Sequence, residues 1–179
     1  SAETQAGLQG YWKLDEHSGQ TAHDVTGTNH GRLGSSAGPD GADPTLGQPG
    51  VFNTAFEFDG SNDYVEAPED DSIGEDVKNA LTVSMWLNSD VPLSRNGGGV
   101  RALEKGDSYF FLQGNGNPNH IGDGGMNFLV KQGSAVHTAS IGEDLNADTW
   151  YHLVGTYDAT GAFAVYLDGV QKDLRTDVT

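Results

Sequence analysis

Apolar and polar residues alternate in short stretches along the chain, which is the period of a β-strand with one buried face. In residues 163–167 the alternation puts the larger apolar side chains on one face, and Asp168-Gly169 follows as a favoured hairpin turn. Upstream, residues 150–157 are rich in β-formers on both faces, as in a strand that is covered on both sides. These patterns predict a three-stranded meander over residues 150–173.

Comparable stretches recur along the chain and are separated by turns rich in Gly, Asn and Asp. We expect strands at 11–14, 55–58, 64–66, 81–87, 100–104, 109–113, 126–131 and 135–141. Many short strands without a useful helical stripe are typical of an antiparallel sandwich or barrel. The predicted core consists of large apolar residues of these strands: Phe56, Phe58, Leu81, Val83, Met85, Phe163, Val165 and Leu167. Residues 35–49 and 114–125 are polar and Gly-rich, and we expect long loops there.

The composition agrees with a turn-rich globular chain of 179 residues, the size of one domain, because it has 26 Gly but only 6 Pro. We therefore expect a single domain over residues 1–179. No apolar run approaches the roughly 18 residues of a membrane-spanning helix, so no membrane insertion is expected. The absence of cysteine excludes a disulfide framework, a cysteine nucleophile and a cysteine-based zinc site.

Acidic residues dominate the charge, since 9 Lys and Arg against 26 Asp and Glu give 9 − 26 = −17. Such a field repels phosphate backbones, so no nucleic-acid partner is expected. Three interpretations of the acidity remain, namely solubility in high salt, binding of divalent cations and attraction to basic partners. We interpret most of the carboxylates as solvated surface groups, because Asp is rarely buried.

Short motifs occur in order along nearly the whole chain. They are Gly-Tyr-Trp-Lys-Leu-Asp-Glu at 10–16, Asp-Val-Thr-Gly at 24–27, His-Gly at 30–31, Ala-Phe-Glu-Phe-Asp-Gly at 55–60, Asp-Tyr-Val at 63–65, Leu-Thr-Val-Ser-Met-Trp at 81–86, Trp-Tyr-His-Leu-Val-Gly-Thr-Tyr-Asp at 150–158 and Tyr-Leu-Asp-Gly at 166–169. In this order and spacing they resemble a laminin-G-like domain of the concanavalin A-like lectin/glucanase superfamily. The resemblance implies an all-β fold, an antiparallel two-sheet jelly-roll β-sandwich that often binds calcium. It also implies a non-catalytic module that recognises carbohydrate or protein in an extracellular or cell-surface setting.

The end of the chain departs from the family pattern. Members generally continue past the last hairpin with a further strand or two and an acidic segment beside the N-terminal strand, whereas this chain stops after residues 172–179. We therefore expect a domain that is incomplete at its C-terminus, with the strand at 10–14 open along one edge. Complementation of that edge by another chain or by a downstream segment is predicted.

Two turns carry the oxygen donors that calcium prefers. In residues 24–31, the predicted ligands are the Asp24 carboxylate, the Asn29 side chain and the carbonyls of Thr26 and Gly31. In residues 59–63, the predicted ligands are Asn62 and Asp63, which also resemble a calcium-ligand pair of the related pentraxins. The alternative for both is an Asx turn, in which the side chain bonds its own backbone.

Carbohydrate binding calls for aromatic rings that stack on sugar faces and for amides, acids or histidines that bond hydroxyls. The candidates are Trp86, Tyr109, Asn119, His120 and Asp123. Trp86 shares the polar face of its strand with Thr82 and Ser84, yet a tryptophan buried between the sheets is the favoured interpretation. For His152, a packed and hydrogen-bonded histidine is favoured over a ligand.

Catalytic signatures are weak. The stretch 69–75 approaches the carboxylate spacing of the family's glucanases, but its last Glu comes one residue late and no β-formers surround it. No Gly-x-Ser-x-Gly elbow is present, and the histidines lack paired metal spacing. The sequence predicts a non-enzymatic, calcium-dependent module of a larger exported or adhesive protein, with carbohydrate or a cell-surface glycoconjugate as its partner. The alternatives are a structural or protein-interaction domain of a large adhesin and, less favoured, a glucanase or polysaccharide lyase.

Overall fold

The computed structural model describes residues 7–68, 80–94, 100–106, 108–113, 125–132, 135–158 and 160–176. The strands assigned there all pair antiparallel, which confirms the all-β prediction. The chain divides into two compact units, Ser1–Gly74 and Glu75–Thr179. In this described part of the chain, no helix is long and apolar enough to cross a membrane.

The first unit contains short strands around a small core. Its strands are β1 (Thr21–Ala22), β2 (Gly31–Leu33), β3 (Thr45–Pro49), β4 (Thr54–Glu57) and β5 (Val65–Glu66). They form a three-stranded sheet in the order β1-β2-β5 and a hairpin of β3 with β4. Ala22, Leu33 and Phe56 are buried together, and Trp12 and Leu46 are among the half-buried residues that pack against them.

The second unit is a β-sandwich. Its strands are β6 (Ala80–Leu87), β7 (Arg101–Lys105), β8 (Tyr109–Gln113), β9 (Met126–Gln132), β10 (Ala135–Ser140), β11 (Tyr151–Asp158), β12 (Phe163–Leu167) and β13 (Val170–Arg175). They form two four-stranded sheets, β13-β12-β11-β6 and β10-β9-β8-β7. Phe128 of β9 joins the sheets, because its ring centroid lies 5.0 Å from that of Phe111 and 6.3 Å from that of Phe163. The predicted two-sheet sandwich is thereby confirmed.

Strand alternation decides which side chains enter this core. In β6, Leu81, Val83 and Met85 pack against the core, while the residues between them are exposed. The predicted meander of β11, β12 and β13 is also present. Its last turn has Asp168 at φ 50° and Gly169 at φ 79°, as a two-residue type I′ hairpin turn requires.

Several predictions for the first unit are wrong. Phe58 was expected in the core but is 44% exposed, because β4 ends at Glu57 and the chain turns there. The predicted loop at 35–49 contains β3, which is held by pairing with β4. The predicted strand at 11–14 contributes only an isolated bridge between Trp12 and Asp24. Complementation along that segment stays a prediction.

Candidate functional site

The outward face of the sheet β13-β12-β11-β6 carries an aromatic and polar cluster. Residues directly opposite each other on antiparallel strands share a face. Trp86 on β6 lies opposite His152 on β11, and Ser84 lies opposite Val154. On the other side of β11, Val154 lies opposite Tyr166 of β12. We call these residues the Trp86 face.

Trp86 presents its ring to solvent and rests on a histidine. Its exposed fraction is 44%, and its ring centroid lies 5.0 Å from that of His152 at an interplanar angle of 30°. The interpretation of Trp86 as buried between the sheets is therefore wrong. The alternation that sends Met85 and Leu87 inward turns Trp86 outward.

Hydrogen bonds hold His152 in place beneath this ring. Its Nε2 lies 2.8 Å from Oγ of Ser84, so one of the two groups donates and the other accepts. Its backbone N–H donates to Oδ1 of Asp168 across 2.8 Å. Further along the face, the hydroxyl of Tyr166 donates to Oε1 of Gln171. The face thus offers a fixed aromatic platform with hydroxyl, imidazole and amide groups around it, which suits stacking and hydrogen bonding to a polyol.

Ser84, His152 and Asp168 are the residue types of a catalytic triad, but the geometry differs. In a triad the carboxylate accepts from Nδ1–H of the histidine and so orients the imidazole. Here the carboxylate accepts from the backbone N–H of His152 instead. The contact of Ser84 with His152 therefore orients the imidazole, and the hydrogen bond of Asp168 differs from the carboxylate–Nδ1 bond of a triad.

The remaining sugar-binding predictions fall elsewhere. Tyr109 is 4% exposed and belongs to the core, where burial raises the pKa of its hydroxyl. A ring buried in this way cannot serve as a stacking surface. Asn119, His120 and Asp123 lie outside the described residues. His152 and Tyr166 were not among the predicted ligand-binding residues. Their signal was their place in the alternation, since His152 precedes the inward Leu153 of β11 and Tyr166 lies between the inward Val165 and Leu167 of β12.

The Asp24 carboxylate, predicted as a calcium ligand, is surrounded by donors of its own chain. Oδ1 accepts from the backbone N–H groups of Tyr11 at 2.8 Å and Thr26 at 2.9 Å. Oδ2 accepts from the Thr26 hydroxyl and from the N–H groups of Thr28 at 3.2 Å and Asn29 at 2.9 Å. Asp24 is 3% exposed. This is the Asx-turn alternative, extended by the long-range bond from Tyr11.

The surroundings of Asp24 shift its acidity. Burial raises the pKa of the Asp24 carboxyl, but the bonds from the Thr26 side chain and from the Tyr11, Asn29 and Thr26 backbone outweigh it. The net effect holds the pKa well below its ordinary value. A calcium ion at this carboxylate would compete with these donors.

Two other predicted ligands of this loop, Asn29 and Gly31, contact other parts of the chain. The side-chain amide of Asn29 donates to the Gln9 carbonyl at 2.9 Å, and the Asn29 carbonyl accepts from Trp12 Nε1 at 2.7 Å. Gly31 belongs to β2, pairs with Ala22 and has no room for a side chain, because a Cβ there would lie 2.5 Å from Val65. The loop is therefore packed around the opening segment of the chain. Calcium at this loop stays a prediction.

The second predicted calcium turn is organised around Asp59. Its Oδ1 accepts from the N–H groups of Ser61 at 2.8 Å and Asn62 at 3.2 Å, bonds that lower the pKa of the Asp59 carboxyl. Asp63 accepts from the Asp59 N–H, and the Asn62 amide donates to the Gly41 carbonyl. Among the residues that the structure describes, no three His, Asp or Glu side chains are grouped to hold a metal ion.

Comparison with known proteins places this architecture in a family. A family model described as the concanavalin A-like lectin/glucanases superfamily, of the laminin G type, matches residues 59–179. The chain belongs to this family. The matched range covers every residue of the Trp86 face.

A solved structure has the same fold. It comes from work on the cell entry of botulinum neurotoxin type C, described as dependent upon interaction with two ganglioside molecules. The alignment has a TM-score of 0.57 at 12% sequence identity and covers 93% of this chain but only 38% of that one. At this identity the likeness concerns the fold alone. No curated protein matches the chain in sequence.

Proposed function

We propose that this lectin-like domain is a non-catalytic carbohydrate-recognition module and that the Trp86 face is its binding surface. The half-exposed Trp86 ring carries the proposal, because such a ring offers an apolar plane to the C–H face of a sugar. Ser84 and His152 supply donors and acceptors beside it, and Tyr166 and Gln171 supply further ones two and three strands away. The ring is held by the His152 stack, which lowers the entropy cost of ordering it on binding.

The comparisons support the ligand class in a coarser way. A protein with the same fold is described as interacting with gangliosides, which are glycolipids that carry sialic acid; at 12% identity this supports carbohydrate as a ligand class and does not extend to the charge of the glycan. A glycoconjugate ligand at a cell surface, recognised by a domain of a larger exported protein, is consistent with that relationship. Binding by stacking suits a sheet face of this kind, since the ring and its polar neighbours lie on adjacent strands.

Calcium has a separate place in the proposal. Among the described residues, no group of three His, Asp or Glu side chains lies on the Trp86 face, and the Asp24 carboxylate accepts bonds from its own chain. We propose that sugar binding at Trp86 proceeds without a bound ion. Calcium at the loops 24–31 or 59–63 remains a proposal, in which the ion would stabilise the loop and would not contact the sugar.

A glycan-binding experiment with matched variants tests the function. An oligosaccharide array is probed with the wild-type chain, with Trp86→Ala and with Phe52→Ala, in calcium and in chelator. Phe52 is 76% exposed on the β3–β4 hairpin and serves as the exposed-aromatic control. We expect some glycans to bind both the wild type and Phe52→Ala, in calcium and in chelator alike. The same glycans should not bind Trp86→Ala. Glycan binding by Trp86→Ala that equals wild-type binding would show that the site lies elsewhere. Hydrolysis of a bound glycan would contradict a non-catalytic role.

A further inference from the structure

We infer that the Trp86 face selects uncharged glycans and rejects acidic ones, such as those with sialic acid, uronic acid or sulfate groups. This inference rests on the proposed function and narrows it to a ligand class. It follows from the charges that the strand register places on the face.

Among the described residues that the register pairs across this sheet, no lysine or arginine occupies an outward position. The outward positions around Trp86 are Ser84, His152, Val154, Tyr166 and Gln171, whereas Ala164, further along the same side of the sheet, is 2% exposed. The basic residues of β13 are ion-paired: Lys172, at the register shift of this strand, with Glu143, and Arg175 with Asp173. An anionic substituent would therefore leave water without gaining the paired basic group that recognition of carboxylate or sulfate ordinarily uses.

Two carboxylates among the described residues border the face. Asp168 lies at the His152 end, with one carboxylate oxygen bonded to the backbone there. Asp158 lies at the far end of β11, and bonds from the Thr160 side chain and backbone hold the pKa of its carboxyl below the ordinary value. Both carboxylates add to a chain whose net charge is −17. An acidic glycan meets repulsion on approach and at the ends of the face.

The polar groups of the face fit hydroxyls instead. Ser84 and His152 share one hydrogen bond, and each keeps capacity for a second partner. The Tyr166 and Gln171 pair likewise combines a hydroxyl with an amide. Such groups donate and accept in turn, which matches the dual character of sugar hydroxyls. A carboxylate or sulfate only accepts and needs a surplus of donors.

Paired neutral and acidic probes test the inference. They are lactose with sialyllactose, N-acetyllactosamine with its sulfated form, and oligogalactans with oligogalacturonates, titrated into the wild-type chain and Trp86→Ala. We expect at least one neutral probe to bind through Trp86 and its acidic partner to bind at least tenfold more weakly at low salt. The difference in affinity between the neutral and the acidic probe should become smaller in about 0.5 M salt, because the Debye length is then only a few ångströms.

The outcomes separate this inference from the proposed function. Acidic probes that bind through Trp86 as tightly as their neutral partners would overturn the selectivity and leave carbohydrate recognition intact. A panel in which no probe depends on Trp86 would overturn both.

A gain-of-function variant gives a second measurement. Val154 is half-buried on the face, directly opposite Ser84, so Val154→Lys adds a cation about one strand spacing from that serine. Val154→Gln is the control of similar length without charge. We expect Val154→Lys, but not Val154→Gln, to raise affinity for the acidic probes at least threefold. Equal acidic binding by the two variants would contradict an electrostatic origin of the selectivity. If Val154→Lys does not fold, the salt dependence of acidic-probe binding by the wild type tests the electrostatic origin of the selectivity.

Discussion

Trp86 on β6 and His152 on β11 are register partners whose rings stack on the outward face of the sheet, with centroids 5.0 Å apart. They are 66 positions apart in the sequence, since 152 − 86 = 66. The pairing of two strands that are distant in the chain therefore builds the platform. It also couples the ring that a sugar would touch to a residue that bonds Ser84.

The platform depends on its lower ring. His152→Ala removes the stacking partner of Trp86 and the hydrogen-bond partner of Ser84. We expect affinity for a neutral glycan to fall roughly three- to tenfold, which corresponds to about 0.7–1.4 kcal/mol. His152→Phe keeps a ring but loses Nε2, and should retain most of the affinity. Titration calorimetry measures both, and wild-type affinity in His152→Ala would show that Trp86 needs no support.

Asp24 should contribute to stability with or without calcium. Asp24→Ala leaves the N–H groups of Tyr11, Thr26 and Asn29 without their acceptor, so we expect a loss of at least about 2 kcal/mol in unfolding free energy. Asp24→Asn keeps one acceptor oxygen and should lose less. Urea unfolding is measured in millimolar calcium and in chelator. Equal losses in both buffers support the hydrogen-bonded role, whereas a loss confined to calcium would support an ion at this loop.

Stability should fall in acid. Hydrogen bonds hold the pKa values of Asp24, Asp59 and Asp158 below their ordinary range, and the Ser35 side chain and the Ala42 backbone N–H help lower that of Asp40 to about 2. A lowered folded-state pKa adds stability that is fully present above the unfolded value of about 3.9 and is lost as pH falls through the folded value. We expect the melting temperature to decline between about pH 5 and pH 2. The melting temperature of Asp24→Asn should fall less steeply with decreasing pH than that of the wild type. An equally steep fall would show that Asp24 is not part of this acid response.

Gly155 is required for the approach of the two sheets in the second unit. A Cβ on Gly155 of β11 would lie 2.5 Å from the ring carbons of Phe128 on β9, and both residues are buried. Gly155→Ala should therefore destabilise the chain by about 1–3 kcal/mol. Gly38→Ala is the matched control, since a Cβ there meets nothing within 4 Å. Chemical unfolding compares the two, and equal stability would mean that the Phe128 ring moves aside at no cost.

Local rules were enough for much of the second unit. The alternation in β6 and the Asp168-Gly169 turn depend on neighbours along the chain, so the strands and the last hairpin could be predicted from the sequence. The family motifs predicted the β-sandwich for the same reason, because each motif marks a strand or a turn. The turn around Asp24 was also recognisable, since Asp, Thr, Asn and Gly favour such bonding.

The tertiary structure decided which surfaces are covered and which are open. Alternation assigns Trp86 to one face of β6 but does not state whether that face is buried, and only the packing of the opposite face against the core leaves Trp86 exposed. Likewise, Tyr109 belongs to a predicted strand, yet its burial depends on strands that are paired with it from elsewhere in the chain. The Asp24 carboxylate receives the N–H of Tyr11 from 13 positions away. Exposure and long-range bonding are properties of contacts between distant segments, and no local pattern encodes them.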